Sequence, residues 1–549
     1  MAQNKWYQLD NAAKIVPSTA SGADTRVFRI TCELREAVDP DILQRAVTEA
    51  AADFPHFSSI LKRGLFWYYL DESDLEPEVT PDNLPALSAI YWEGRRNLLY
   101  RVSYYGCRIN LEMFHVLTDG TGAFAFLKAI LSLYLEYKYG IEDLIADGSR
   151  SSKTDHRDDA FGKYYKKAGA KPEEQKSAPK RAYHLRGDRD EYLENHLLEG
   201  TVSVKKFLKA ARARHSTVAE LCTAMFIRAI LEEMSVRDRR LPIVLSIPVN
   251  LRNYFPSETA RNFFGVINVA FDPVLYDGTV ESIIPVVRAS FERQLQQDQI
   301  ELTMNSYASL EHNIAIKVVP LAIKNLVISA INHRMQRGIT GTISNVGKIT
   351  LPEEMEPFVR KFSCFMAAPE VQISVCSYKD YLVFGVASAF IEHPVMRNFF
   401  RDMVDMGVDV ELDSNDFDRI GAAPAAAPAA EAPVPPALPA AQPESVPQLQ
   451  SAPAAQLQSA PEAQSGSAPA AQLQSAPEAQ PGSAPATQPV PSDVTTVAEP
   501  ISIADMAIAE PAYSANEVAE PACGANEVAE PIGNADVAAA EPISGREEA

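Results

Sequence analysis

Residues 108–120 read Arg108-Ile109-Asn110-Leu111-Glu112-Met113-Phe114-His115-Val116-Leu117-Thr118-Asp119-Gly120. The first seven suit a strand. An apolar helical stretch follows, from Thr121 to about Tyr139, with Phe124, Leu127, Leu131, Tyr134 and Leu135 as its inward stripe. A histidine at a strand end, with an Asp-Gly turn into a helix, can present a base to a cleft. Neutral imidazole can take a proton from an alcohol or amine as it attacks an acyl carbonyl, which typically contributes about 10² to 10⁴ in rate. Asp119 can hold the turn by capping the amides of Thr121 to Phe124, or by pairing with an arginine. Gly120 would give the turn its conformational freedom. The pattern fixes three positions only, so it should arise by chance in roughly one chain in twenty or thirty. The plainer readings are a packed core histidine and an ordinary turn. His115 and Asp119 make two metal ligands at most, with no third at a ligand-like spacing, so no metal is expected.

Working outward, Trp6 to Val16 contains Leu9-Asp10-Asn11-Ala12-Ala13, which looks like a capped helix start. Val27 to Leu34 reads as a strand. Asp39 can cap a helix whose first position is Pro40. Phe66 to Leu70 and Leu98 to Tyr105 read as strands. Residues 146–181 are charged and read as an exposed linker. Beyond it, His196 to Val204 is a strand candidate and Val204 to Ala213 a helix. Ser216 and Thr217 cap a further helix to about Met234. Leu241 to Val249, Gly265 to Phe271, Gly341 to Ser344, Val371 to Ser377 and Leu382 to Ala387 are strand candidates. Asn398 to Met406 suits a closing helix. Alternating helices and strands give an α/β class with mixed sheets. The organisation expected is a lobe over 1–145, the linker, a second lobe over 182–420, and a tail over 421–549.

The tail holds 21 of the 39 prolines, 16 acidic residues and one basic residue, Arg546. That leaves 56 acidic and 50 basic residues in 1–420, so most of the formal charge of −21 belongs to the tail. Ala-Ala-Gln-Leu-Gln-Ser-Ala-Pro-Glu-Ala-Gln occurs at 454–464 and again at 470–480. Such Ala/Pro/Glu-rich repeats cannot bury enough apolar surface to offset ordering entropy, so a disordered tail is expected. It could serve as a tether that recruits a protein partner, or as a neutral appendage. The acidity argues against nucleic acid or an anionic membrane as partner. Six cysteines without C-x-x-C spacing fit reduced thiols. No apolar run approaches the roughly 18 residues of a membrane helix. The start lacks the apolar region of a signal peptide, so a cytoplasmic location is expected.

Three further segments carry the rest of the argument. Ser246-Ile247-Pro248-Val249-Asn250-Leu251-Arg252 ends a strand with an arginine. Asn262-Phe263-Phe264-Gly265-Val266-Ile267-Asn268 follows, and later Thr342-Ile343-Ser344-Asn345-Val346-Gly347. With His115-x-x-x-Asp119-Gly120 they resemble, in order, the motifs of the superfamily of chloramphenicol acetyltransferase, condensation domains and alcohol O-acetyltransferases. Ser344-Asn345-Val346-Gly347 is similar to the segment of the alcohol acetyltransferase-like members. The likeness covers most of 1–420. Phe114 stands where many relatives have a second histidine, Leu251 replaces a glycine, and nothing matches the plant enzymes' Asp-Phe-Gly-Trp-Gly.

The resemblance implies two similar lobes meeting in a V, with His115 in a tunnel between them. It implies a structural Asp119 paired with an arginine, for which Arg252 is the candidate. Thr342, Ser344 or an amide near Asn345 could stabilise an oxyanion. The implied activity is CoA-dependent O-acyl transfer to a small alcohol or amine, with acyl-CoA as co-substrate and no bound cofactor. Two rivals stand beside it: an acyltransferase using a carrier-bound donor, and a non-catalytic scaffold on the same fold. No phosphate-cradling loop is evident, and Lys205, Lys206, Arg212 and Arg214 read as a solvated helix face.

Overall fold

Caps and apolar alternation place most elements of the computed structural model, which describes residues 6–141, 160–165, 181–312 and 318–415, without the side chains of 306–312. The tail and most of the linker lie outside these residues. The first elements are β1 (Trp6–Gln8), α1 (Val16–Thr19), β2 (Val27–Leu34), α2 (Pro40–Asp53), β3 (Ser59–Arg63), β4 (Tyr68–Glu72), β5 (Val79–Pro81), β6 (Tyr100–Tyr105), β7 (Arg108–Phe114) and α3 (Gly120–Tyr139). Next come α4 (Ala160–Tyr164), β8 (His196–Ser203), α5 (Val204–Ala213), α6 (Val218–Glu233), β9 (Ile243–Asn250), β10 (Phe264–Phe271), α7 (Ile284–Gln294) and α8 (Gln297–His312). The last are α9 (Leu321–Gln336), β11 (Gly341–Lys348), β12 (Val359–Met366), β13 (Val371–Tyr378), β14 (Tyr381–Ser388), α10 (Pro394–Asp405) and β15 (Glu411–Ser414).

The class is mixed α/β, as the sequence implied. Three sheets run in the orders β1-β4-β3, β12-β2-β7-β6-β5 and β10-β9-β11-β13-β14-β8-β15. In the largest, β11 is parallel to both β9 and β13, and the other pairs are antiparallel. The apolar sides of α2 and α3 join the five-stranded sheet in one core, which holds Phe57, Phe126 and Tyr134. Residues of α5, α6, α7 and α10 pack on one face of the seven-stranded sheet in a second core. The Asp39 carboxylate accepts from the amides of Asp41 and Ile42, with Pro40 at the first turn. Thr217 and Glu220 close a reciprocal capping box on α6.

The strand β12 comes from the second half of the chain and pairs with β2 of the first, Phe362 opposite Cys32 and Cys364 opposite Ile30. The sheets therefore do not divide where the linker divides the sequence. Gly385 on β14 permits this junction, because a Cβ there would meet the Cys364 carbonyl oxygen at 1.9 Å. The polar sides of β2, β7 and β12 are buried as an ionic layer. Lys361 Nζ lies 2.5 Å from Glu199, each side chain 3% exposed, and Arg108 reaches Glu33 at 2.9 Å and Glu199 at 3.3 Å. Arg29 pairs with Glu112 and Asp82, both at 2.8 Å.

Three expectations need correction. The start at Leu9–Ala13 is a turn ahead of a short helix that begins at Val16, and the Asp10 carboxylate accepts from the Ala13 amide at 2.7 Å. The strand expected from Phe66 begins at Tyr68, because Gly64 and Trp67 close a hairpin tip (Gly64 N to Trp67 O, 3.0 Å). Within the linker, Ala160–Tyr164 is a helical turn with Ala160 and Phe161 buried: Phe161 packs edge-on against Phe263, with ring centres 5.1 Å apart.

Candidate functional site

His115 follows the last residue of β7, and its backbone amide donates to the Arg26 carbonyl at 2.9 Å. The residue is partly exposed. Its ring stands edge-on to Phe28 (5.1 Å between centres) and tilted against Phe264 at the start of β10 (5.3 Å). The histidine of the first half thus abuts the seven-stranded sheet of the second. Its Nδ1 lies 2.9 Å from Asn262 Oδ1. Asn262 Nδ2 in turn donates to Asp10 Oδ2 at 3.0 Å. A carboxylate can only accept here, so Asp10 fixes which way the Asn262 amide points. Asn262 Oδ1 must then accept from Nδ1–H of neutral His115, and Nε2 carries the free lone pair. Burial pulls the His115 pKa below its ordinary value, against the opposing pull of Asp119 and the Asn262 contact. The ring is therefore neutral near pH 7.

Asp119 is the N-cap of α3. Its Oδ1 accepts from the amides of Thr121 (3.0 Å) and Gly122 (3.3 Å). Its Oδ2 accepts from Arg252 Nη1 (2.7 Å) and from the Phe263 amide (2.8 Å). The Arg252 Nη2 also donates to the carbonyls of Thr259 (2.9 Å) and Arg261 (2.7 Å). Arg252 and Asp119 together clamp the 259–263 loop against the start of α3. That loop carries Asn262, so the clamp reaches His115 indirectly.

The structure brings His115, Asp119 and Arg252 into one neighbourhood. It assigns the glycine requirement differently from the sequence reading. Gly120 has no left-handed φ, and a Cβ there would meet nothing within 4 Å. Gly122 is the constrained one, since its Cβ would fall 2.2 Å from both the Ala260 carbonyl oxygen and Thr118 Oγ1. Close approach of helix and loop demands that glycine.

Thr342 and Ser344 lie on β11, one on each side of Ile343, which packs into the second core. They therefore project from the opposite face, away from the covering helices. Thr342 falls in a transverse polar row, Asn268–Ser246–Thr342–Gln372, set by register across β10, β9, β11 and β13. Asn345 does not share that face. It lines a small cavity with Val218, Cys222 and Ile343 under the start of α6. Its Oδ1 accepts from the Gly347 amide at 3.0 Å, and Gly347 takes φ +88 in a strand irregularity. A second cavity, about 170 Å³, lies by Tyr183, Asp238 and His393 and contains none of the motif residues.

Asp10 and Asn262 are the site residues that sequence reasoning left without a role. Asn262 sits in a quoted segment, but nothing local marks it as a partner of a histidine 147 positions away.

No family model matches the chain, and no curated protein matches it either. Solved structures do. The Fusarium graminearum TRI101 crystal structure with ethyl coenzyme A matches at TM-score 0.51 with 11% identity, covering 74% of this chain and 100% of that one. TRI101 from the same organism with coenzyme A and deoxynivalenol matches at TM-score 0.51, 10% identity, 74% and 99% covered. Polyketide synthase associated protein 5 from Mycobacterium tuberculosis is a looser match at TM-score 0.46, 12% identity, 73% and 98% covered. The TRI101 likenesses show that the chain has the chloramphenicol acetyltransferase-like fold that its motifs implied.

Proposed function

We propose that the protein transfers an acyl group from an acyl-CoA thioester to an alcohol, with His115 as general base and no acyl-enzyme. The observation that carries this is the Asp10–Asn262–His115 chain. It supports a neutral ring held in one tautomer, with Nε2 unengaged on a partly exposed residue. CoA as donor is taken from the coenzyme A complexes of TRI101, whose fold this chain shares.

In the step proposed, Nε2 accepts the hydroxyl proton as the oxygen attacks the thioester carbonyl. A tetrahedral oxyanion forms and collapses, the C–S bond breaks, and the imidazolium returns its proton to the departing thiolate. The products are an ester and free CoA. Oxyanion stabilisation requires a donor aimed at the developing charge. Thr342, Ser344 or a backbone amide near Asn345 would supply it. Asp119 and Arg252 act as positioning residues that hold the loop bearing Asn262. An amine acceptor would use the same base.

Thiol release from a panel of acyl-CoA donors against mixed alcohols and amines is the test. His115→Ala should lower turnover at least about a hundredfold while keeping the wild-type melting temperature within a few degrees. Near-normal turnover by that variant would remove the base, and release only from acylated carrier protein would replace the donor.

A further inference from the structure

The helix α9, Leu-Ala-Ile-Lys-Asn-Leu-Val-Ile-Ser-Ala-Ile-Asn-His-Arg-Met-Gln, is apolar on most of its circumference. Helices of that kind are ordinarily enclosed. Here only Leu321 and Lys324 are fully buried. Ile323, Leu326 and Val327 stand in solvent, Leu326 at 72% exposure, with Val318 exposed just ahead. The start of the helix rests on the β3–β4 hairpin tip. The Leu321 amide donates to the Leu65 carbonyl and Lys324 Nζ to the Phe66 carbonyl, each at 2.9 Å. Lys324 also sits 3.7 Å from the centre of the Trp67 ring. At that tip Leu65 (72%) and Phe66 (40%) are again exposed. Helix and hairpin thus present adjoining apolar groups to water, beyond the scattered exposure normal for a protein surface.

The stretch of sequence that carries α9 is basic, unlike the chain as a whole. From Asn313 to Pro352 there is no Asp or Glu, while Lys317, Lys324, Arg334, Arg337 and Lys348 all fall there. The chain as a whole carries a formal charge of −21. A second copy of the protein would be a poor cover, because a two-fold contact sets the same cationic patch against itself. Exposed aliphatic groups, an aromatic hairpin tip and the exposed Arg334 and Arg337 are what the headgroup boundary of an anionic bilayer accepts.

We propose that α9 and the Leu65–Trp67 tip form a docking face for an anionic phospholipid surface. The apolar side chains enter the headgroup boundary, and Arg334 with Arg337 meets the lipid phosphates. The acidity noted above belongs to the chain as a sum, and the 313–352 stretch that carries α9 has none of it. The proposal is independent of the acyl-transfer reading, because binding is measured without turnover.

The test is co-sedimentation of the full-length protein with vesicles of phosphatidylcholine alone or mixed equally with phosphatidylglycerol. Binding should favour the anionic vesicles and weaken as salt rises. The double variant Ile323→Glu/Leu326→Glu should bind at least tenfold less, and so should Leu65→Glu. Milder Ile323→Ser/Leu326→Ser and Leu65→Ser versions, checked by their melting curves, guard against a folding defect. Failure of the wild type to bind anionic vesicles overturns the proposal, as do folded variants that bind like the wild type. A wild-type dimer that dissociates in Leu326→Ser, without vesicle binding, assigns the face to a second copy and also overturns it.

Discussion

Asn262 owes its effect to an amide that cannot rotate, since the carboxylate of Asp10 accepts from one end and His115 donates to the other. The consequence is a pH profile. Burial holds the His115 pKa below the ordinary value of about 6.5, and only the neutral ring can act as a base. Activity should therefore persist down to about pH 6.5 and fall below it, as the pH drops through the lowered pKa. The same linkage makes the native state lose stability as the pH falls through that pKa, since the unfolded chain takes up the proton more readily. A kcat/KM profile with an acidic limb above pH 7 would contradict this. His115 and Asp119 were legible in the sequence because their spacing is local and chemical. Asp10 was not: its partner lies 252 positions away, and from the sequence its carboxylate read as part of a helix start.

Close approach at the start of α3 separates two glycines that look alike in the sequence. Gly122→Ala must displace the 260 carbonyl or Thr118 and should cost about 1–3 kcal/mol or more. Gly120→Ala meets open space in the first helical turn and should be neutral or stabilising by up to about 1 kcal/mol. Urea unfolding of the two variants decides between them. For β12 the telling pair is Lys361 and Glu199. Lys361→Met leaves the buried Glu199 carboxylate to Arg108 alone and should cost up to about 3 kcal/mol, and Lys361→Met/Glu199→Leu should recover part of the loss. Equal destabilisation of single and double variants would show that the pair is not coupled. These charges also explain why β12 was unreadable. Lys361 and Ser363 look like a solvated side, yet both are buried in the ionic layer. The helix α9 escaped notice for a related reason: its apolar residues surround the axis and give no stripe. Where burial is one-sided, as in α2, the cap and spacing were sufficient, and α6, buried nearly all round, was marked by its cap.

At the scale of the whole molecule, the class and the positions of most strands along the chain could be read, whereas their order in the sheets and the exchange of a strand between halves could not, because pairing partners leave no local mark. Without β12 the strand β2 becomes an open edge, and such edges invite association. A fragment ending at residue 145 should therefore be insoluble or aggregated when purified alone. A soluble monomer with a cooperative melt would mean that the first sheet closes without its last strand. Synthesis gives this a temporal side. At ordinary translation rates the roughly 250 residues between β7 and β12 take on the order of 12 to 50 s to emerge. For that interval the nascent amino-terminal half waits with an unzipped seam, so the ribosome-bound chain is a natural client for chaperones, and the maturation of the histidine's surroundings is timed by the arrival of a segment encoded near the end of the fold.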